Sequence, residues 1–124
     1  MRILLDTHLV LWALAEPDRL PSQALSELHA NDVYVSAASI WEIAIKVGVG
    51  KLSANPTEVL AAIAPAGFTL LPISGIHAAT VADLPNIHRD PFDRLLVAQA
   101  LAEPMKLLTN DSVLPAYGRF VSLV

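Results

Sequence analysis

The sequence predicts an α/β domain in which a central, mostly parallel sheet is sandwiched in a three-layer α/β/α arrangement. Two observations predict it. Short aliphatic and β-branched runs alternate with longer helical patterns along the whole chain, the order that parallel strands joined by crossover helices require. Hydrophobic residues make up 54% of the 124 residues and the mean hydropathy is +0.52, which gives a domain of this length a sizeable core to bury. No internal repeat, low-complexity stretch or linker is visible, so residues 1–124 read as a single domain.

Arg2–Asp6 reads as a strand, and a helix over Thr7–Ala15 follows until Pro17 stops it. Pro21–Ala30 is a second helix, with Ala24, Leu25 and Leu28 on one face. Asp32–Ser36 is the next strand, and Ser36–Val47 a helix that ends near Gly48. Asn55-Pro56 opens a helix, because Asn caps orphan amides and Pro suits the first turn; it runs to about Pro65. Phe68–Pro72 is a strand, and Ser74 caps a helix to Leu84. Asp90-Pro91 opens a helix that Pro104 closes. Lys106–Thr109 is a buried strand, a short helical turn follows from Asp111, and Phe120–Val124 is the last strand.

Bulk properties exclude several functions. The chain has no cysteine, so disulfides, zinc ribbons, iron–sulfur clusters and thiol nucleophiles are out. The net charge of −4 counts against broad electrostatic binding of nucleic acid, so any such site must be local. Polar residues break the apolar runs well short of the roughly 20 residues that span a bilayer. The start lacks a basic segment and a cleavage site, which predicts a cytoplasmic protein with no membrane partner. Gly48 and Gly50 lack the Lys-Ser/Thr of a phosphate loop and end a helix instead.

The informative residues are acids. Asp6 ends the first strand, Glu42 lies in the helix after the second, Asp90 and Asp93 open a helix, and Asp111 follows the Lys106–Thr109 strand. In a parallel sheet all five point to the carboxyl edge, where such folds bind ligands. Each has a bland explanation. Asp90 and Asp93 suit a helix start, Glu42 is an i,i+4 partner of Lys46, and Asp111 caps a turn. Asp6 is harder to dismiss, because a central parallel strand is normally apolar throughout. Glu42 also sits in a helix that is apolar on nearly every side. Glu16, Glu27, Glu58, Asp83 and Glu103 fit a solvated face.

Clustering weakens the bland readings, because the repulsion must be answered. Two carboxylates about 4 Å apart repel by roughly 4 kcal/mol at an effective dielectric of about 20. Protonation, or neighbouring bases such as Lys46 and Arg94, offsets part of that; a divalent cation offsets it most directly. Oxygen-only ligands select Mg2+ or Mn2+ over zinc or copper. Such an ion suits phosphodiester hydrolysis, because it makes hydroxide available near neutral pH and stabilises charge on the phosphate.

Four segments in order, LLDTHLVLW at 4–12, SAASIWEIAIKVGVGKL at 36–52, HRDPFDRLLVAQA at 88–100 and LLTNDSVLPAYG at 107–118, resemble the PIN-domain ribonucleases of the VapC toxin type. The resemblance spans almost the whole chain. It implies a PIN-like fold in which Asp6, Glu42, Asp93 and Asp111 hold Mg2+ (or Mn2+) and activate water. It also implies supporting roles for Asp90, mainly as a helix cap, and for the Thr109 and Ser39 hydroxyls. Arg89, Arg94 and Lys46 are the basic candidates for phosphate contact. The implied partners are an RNA substrate, a second copy in a homodimer, and a cognate antitoxin docking over the acidic site.

Three rivals remain. A phosphatase with an aspartyl nucleophile wants a second acid two residues after the first, where this chain has His8. A receiver-type module wants paired acids by the first strand and an acceptor after a middle one, and Phe68–Pro72 ends without an acid. A catalytically silent PIN-like scaffold that binds RNA or a partner is opposed only by the intact acids. His8 reads as helix packing, His88 as exposed loop, and Trp12 and Trp41 as core or dimer surface.

Overall fold

A computed structural model describes all 124 residues. Its strands are β1 (Arg2–Leu5), β2 (Asp32–Ser36), β3 (Thr69–Leu71), β4 (Lys106–Thr109) and β5 (Val121–Leu123). They form one sheet in the order β3-β2-β1-β4-β5, and all four pairings are parallel. Leu4 is level with Tyr34 of β2 on one side and Leu107 of β4 on the other, so β1 is the central strand. The chain moves outward from β1 through β2 to β3, then returns past it to build β4 and β5. The direction therefore reverses between β1 and β4, and that gap is where open α/β sheets form crevices.

Helices cover both faces, and the period-two alternation of the strands decides which residue meets which layer. Ile3, Leu5, Val33, Val35 and Leu108 pack with Leu9, Val10, Ala24, Ile43 and Val59. These come from α1 (Thr7–Ala15), α2 (Ser22–Ala30), α3 (Ala37–Gly48) and α4 (Pro56–Ala62). On the other face Leu4, Leu107 and Val121 pack with Leu96, Val97 and Ala100 of α6 (Pro91–Ala102) and with Leu84 and Leu114. The remaining helix, α5 (Gly75–Thr80), packs against α6. The strands are apolar on both faces because both are buried.

Helix termini follow the expected chemistry. Asn55 accepts from the amides of Thr57 and Glu58 at 3.0 and 3.2 Å, and Asp90 from Phe92 and Asp93 at 2.9 and 3.0 Å. Two helices are shorter than the sequence predicts. α4 stops at Ala62 rather than Pro65, because a proline disfavours helical geometry in the residue before it. The helix expected to reach Leu84 breaks after Thr80 into a 3-10 turn over Val81–Asp83. There the Thr80 hydroxyl donates back to the Ile76 carbonyl at 2.7 Å, a bond that bends helices. No helix is long and apolar enough to cross a membrane.

Candidate active site

Asp6 lies just past the carboxyl end of β1, beside β4. The residue leaves the sheet with its amide still bonded to the Leu108 carbonyl at 2.9 Å, and its side chain caps α1. Its Oδ1 accepts from the Thr7 amide at 2.6 Å, and its Oδ2 from the Thr109 hydroxyl at 2.6 Å. The same hydroxyl accepts from the Asp111 amide at 2.9 Å, so Thr109 ties the first acid to the loop carrying the last. Asp6 is only 4% exposed. Burial pushes its carboxyl above the usual range, the bonds from Thr109 and Thr7 and the nearby His8 pull it back, and Glu42 adds repulsion.

Glu42 comes from the second turn of α3 and is equally buried. Its Oε1 accepts from the Thr7 hydroxyl at 2.8 Å, which also meets the Ser39 hydroxyl at 2.9 Å. Its Oε2 is held by Lys46 Nζ at 2.6 Å. The bond to Glu42 raises the Lys46 pKa against the effect of burial, with smaller contributions from Glu42, Asp90 and Asp93 charge. Lys46 is therefore a built-in counter-cation for the acids.

Asp93 completes the cluster from the first turn of α6, where the helix dipole favours negative charge. Its Oδ2 lies 3.2 Å from His88 Nε2. Burial, then repulsion from Asp6 and Asp90, pushes its carboxyl up to about 7, the His88 bond opposes this, and Glu42 adds a smaller push. The Asp6 charge is thus one of the forces that hold the Asp93 carboxyl up.

The sequence profile of the PIN domain matches residues 3–119. This chain belongs to the PIN-domain family. Ribonuclease VapC22 of Mycobacterium tuberculosis is 31% identical over 117 residues, which cover 88% of this chain and 86% of the relative. The fold is shared with VapBC2 of Rickettsia felis bound to a promoter DNA fragment, at a TM-score of 0.72 and 18% identity, over 100% of this chain and 98% of that one. It is shared too with FitAcB of Neisseria gonorrhoeae, at 0.60 and 24% identity, over 90% and 89% of the two chains.

In this PIN domain Asp6, Glu42, Asp90 and Asp93 lie close enough to shift one another's ionisation or that of Lys46. Asp111 stands further out. It is half-buried, its Oδ1 caps the Val113 amide at 2.9 Å, and it lines a groove with His8, Trp12 and Arg19. Ser39 and Thr109 are buried, Ser39 against Thr7 and Thr109 against Asp6. Arg89 is exposed at the rim.

Four residues behave differently from their sequence reading. His8 is exposed, because it sits in the first turn of α1 on the side facing away from the sheet. His88 is half-buried and bonded to Asp93 and to the Tyr117 hydroxyl, the latter at 2.7 Å. Arg94, a phosphate candidate by sequence, has its guanidinium engaged by the Pro85 carbonyl at 2.9 Å and the Tyr117 hydroxyl at 3.0 Å. Glu103 is not a solvated acid: it holds the buried His77 ring at 2.6 Å. Trp41 is 55% exposed, edge-on to Phe92 at 4.9 Å. Thr7 and Tyr117 were missed. For Thr7 the available signal was its place beside Asp6 at the strand end; for Tyr117 there was none, since a tyrosine near a glycine reads as packing.

Proposed function

We propose that this PIN domain is an endoribonuclease that hydrolyses RNA phosphodiester bonds with Mg2+ or Mn2+, and that it is the toxin of a toxin–antitoxin pair. The observation that carries the reading is Asp93, a carboxyl driven to about 7 by burial and by the acids around it. Carboxylates folded together at that energetic disadvantage call for a cation. The similarity to a protein named a ribonuclease supports the choice of substrate.

The donor set fits such an ion. No three acidic or imidazole side chains close on one point as a finished ligand shell. Mg2+ does not need one, since it keeps several of its own waters and takes one or two carboxylates directly. Asp6, Glu42, Asp93 and Asp111 would hold it. When bound, the ion supplies Lewis acidity toward water and phosphate. The chain does the rest. Thr109 and Thr7 orient Asp6 and favour its ionised form against the pull of burial, Thr7 and Lys46 fix Glu42, and the exposed Arg89 together with Lys46 supplies positive charge for the phosphate. His8, two residues after Asp6, offers no carboxylic acid for a phosphatase.

Trp41 beside Glu42 and Phe92 beside Asp93 give the acids an apolar rim, which supports docking of an antitoxin across the site. A second copy in a homodimer is expected from the same family, and sedimentation velocity checks it.

The test is cleavage of an end-labelled RNA with Mg2+, with Mn2+ and with EDTA. Wild type should cut only with metal, and Asp6→Asn should fall below detection while its metal-free melting temperature does not drop. Growth arrest on expression, absent for Asp6→Asn, reads the toxin role. Cleavage that persists in EDTA or in Asp6→Asn sinks the proposal.

A further inference from the structure

We propose that His88 and Tyr117 are positioning residues for this reaction, forming with Arg94 a directed hydrogen-bond chain that fixes the Asp93 carboxylate. The inference rests on the metal-dependent nuclease reading above.

The direction of the chain follows from what each group is able to donate. A guanidinium only donates, so the Tyr117 oxygen, 3.0 Å from Arg94 Nη1, accepts from it. An ionised Asp93 only accepts, which calls for the hydrogen of a neutral His88 ring on Nε2, and Nδ1 then accepts from the phenolic O–H 2.7 Å away. The Nε2 atom faces Asp93 Oδ2 at 3.2 Å. The order is Arg94 to Tyr117 to His88 to Asp93, with every hydrogen pointing toward the acid.

The far end of the chain is anchored. Arg94 also donates to the Pro85 carbonyl at 2.9 Å, and more weakly to those of Val81 at 3.4 Å and His88 at 3.5 Å. Tyr117 is buried against the α6 face of the sheet, and its ring meets the His88 ring edge-on at 5.5 Å. The imidazole is therefore held from two sides before it touches Asp93. With Oδ2 occupied, Asp93 Oδ1 has no protein partner and is the atom left for a cation. A carboxylate repelled by its neighbours would otherwise swing toward solvent. Partners behind a ligand typically change metal affinity by about 10- to 100-fold when removed.

A purely structural role would tie the loop before α6 to the turn before β5 and nothing more, so the test separates the two. Nitrogen-15 shifts of the His88 ring in the metal-free protein should show the hydrogen on Nε2, and Tyr117→Phe should turn this into a tautomer mixture. Calorimetric titration with Mn2+ should weaken about 10-fold in Tyr117→Phe and more in His88→Leu. His88→Gln, whose amide N–H replaces that of Nε2, should keep most of the affinity. The Mg2+ concentration for half-maximal RNA cleavage should follow the same order. A wild-type ring protonated on Nδ1, unchanged Mn2+ affinity in folded Tyr117→Phe, or equal losses in His88→Gln and His88→Leu each overturn the proposal. Wild type that neither binds Mn2+ nor cuts RNA overturns the nuclease reading itself, and the positioning role falls with it.

Discussion

Thr109 touches two acids with one oxygen. Its hydroxyl donates to Asp6 Oδ2, a buried contact, and accepts from the partly buried Asp111 amide. Thr109→Val keeps the shape and removes both bonds, leaving a buried carboxylate and a partly buried amide each short of a partner. Such orphans cost about 1 to 3 kcal/mol apiece. Urea denaturation of the metal-free protein should therefore show a loss of roughly 2 kcal/mol, tempered because Asp6 is free to take up a proton. RNA cleavage should fall well beyond that change in stability, and Thr109→Ser should restore both. A Thr109→Val protein that cuts like wild type would remove Thr109 from the site. The acids themselves were legible because a carboxylate at the end of a central strand, or in an apolar helix, contradicts its surroundings. The hydroxyls and His88 contradict nothing. Thr7 matters only because the fold brings Glu42, 35 residues on, to within 2.8 Å.

Elements are held in register by polar contacts that the reaction does not use. His77, on α5, is buried, and its Nδ1 accepts from the Ser74 amide at 3.0 Å and stands 3.3 Å from the Gln99 side chain of α6. Its Nε2 then donates to Glu103, just past the end of α6. Glu103 also pairs with Arg2 of β1, at 3.8 Å. One imidazole thus connects a helix start, a helix end and the central strand. His77→Ala should lower the melting temperature by roughly 10 °C, from two or three lost bonds of about 1 to 1.5 kcal/mol each. The metal requirement of the folded fraction should stay put, since His77 touches none of the acids. A shifted requirement would mean that α6 transmits the damage to Asp93. The strands and most helix starts were legible at this scale, because caps and prolines act within a few residues: Asn55-Pro56 and Asp90-Pro91 open their helices as written. Where α5 breaks was not: the Thr80 back-bond is local but a threonine inside an apolar helix does not announce it, and the Arg94 contact to Val81 depends on a tertiary neighbour.

For the whole molecule the acidic cluster makes stability depend on pH with an unusual sign. Asp93 sits near 7 in the metal-free fold, against an ordinary value of 3.8, and Asp6 is raised as well. Between those limits the folded state binds more protons than the unfolded chain, so stability falls as pH rises. The contribution is fully present below about pH 4 and lost above about 7. Comparison of wild type with Asp93→Asn isolates it, because asparagine carries no charge at either end. The two metal-free proteins should melt together near pH 4, and the variant should lead by roughly 10 °C above pH 7, where wild-type Asp93 is ionised among its neighbours. Mn2+ should reverse the order by binding the ionised wild type. A gap that does not change with pH would show that Asp93 ionises freely. The cluster would then exert no pull on a cation, and neither the metal nor the fold around it would explain why these acids meet.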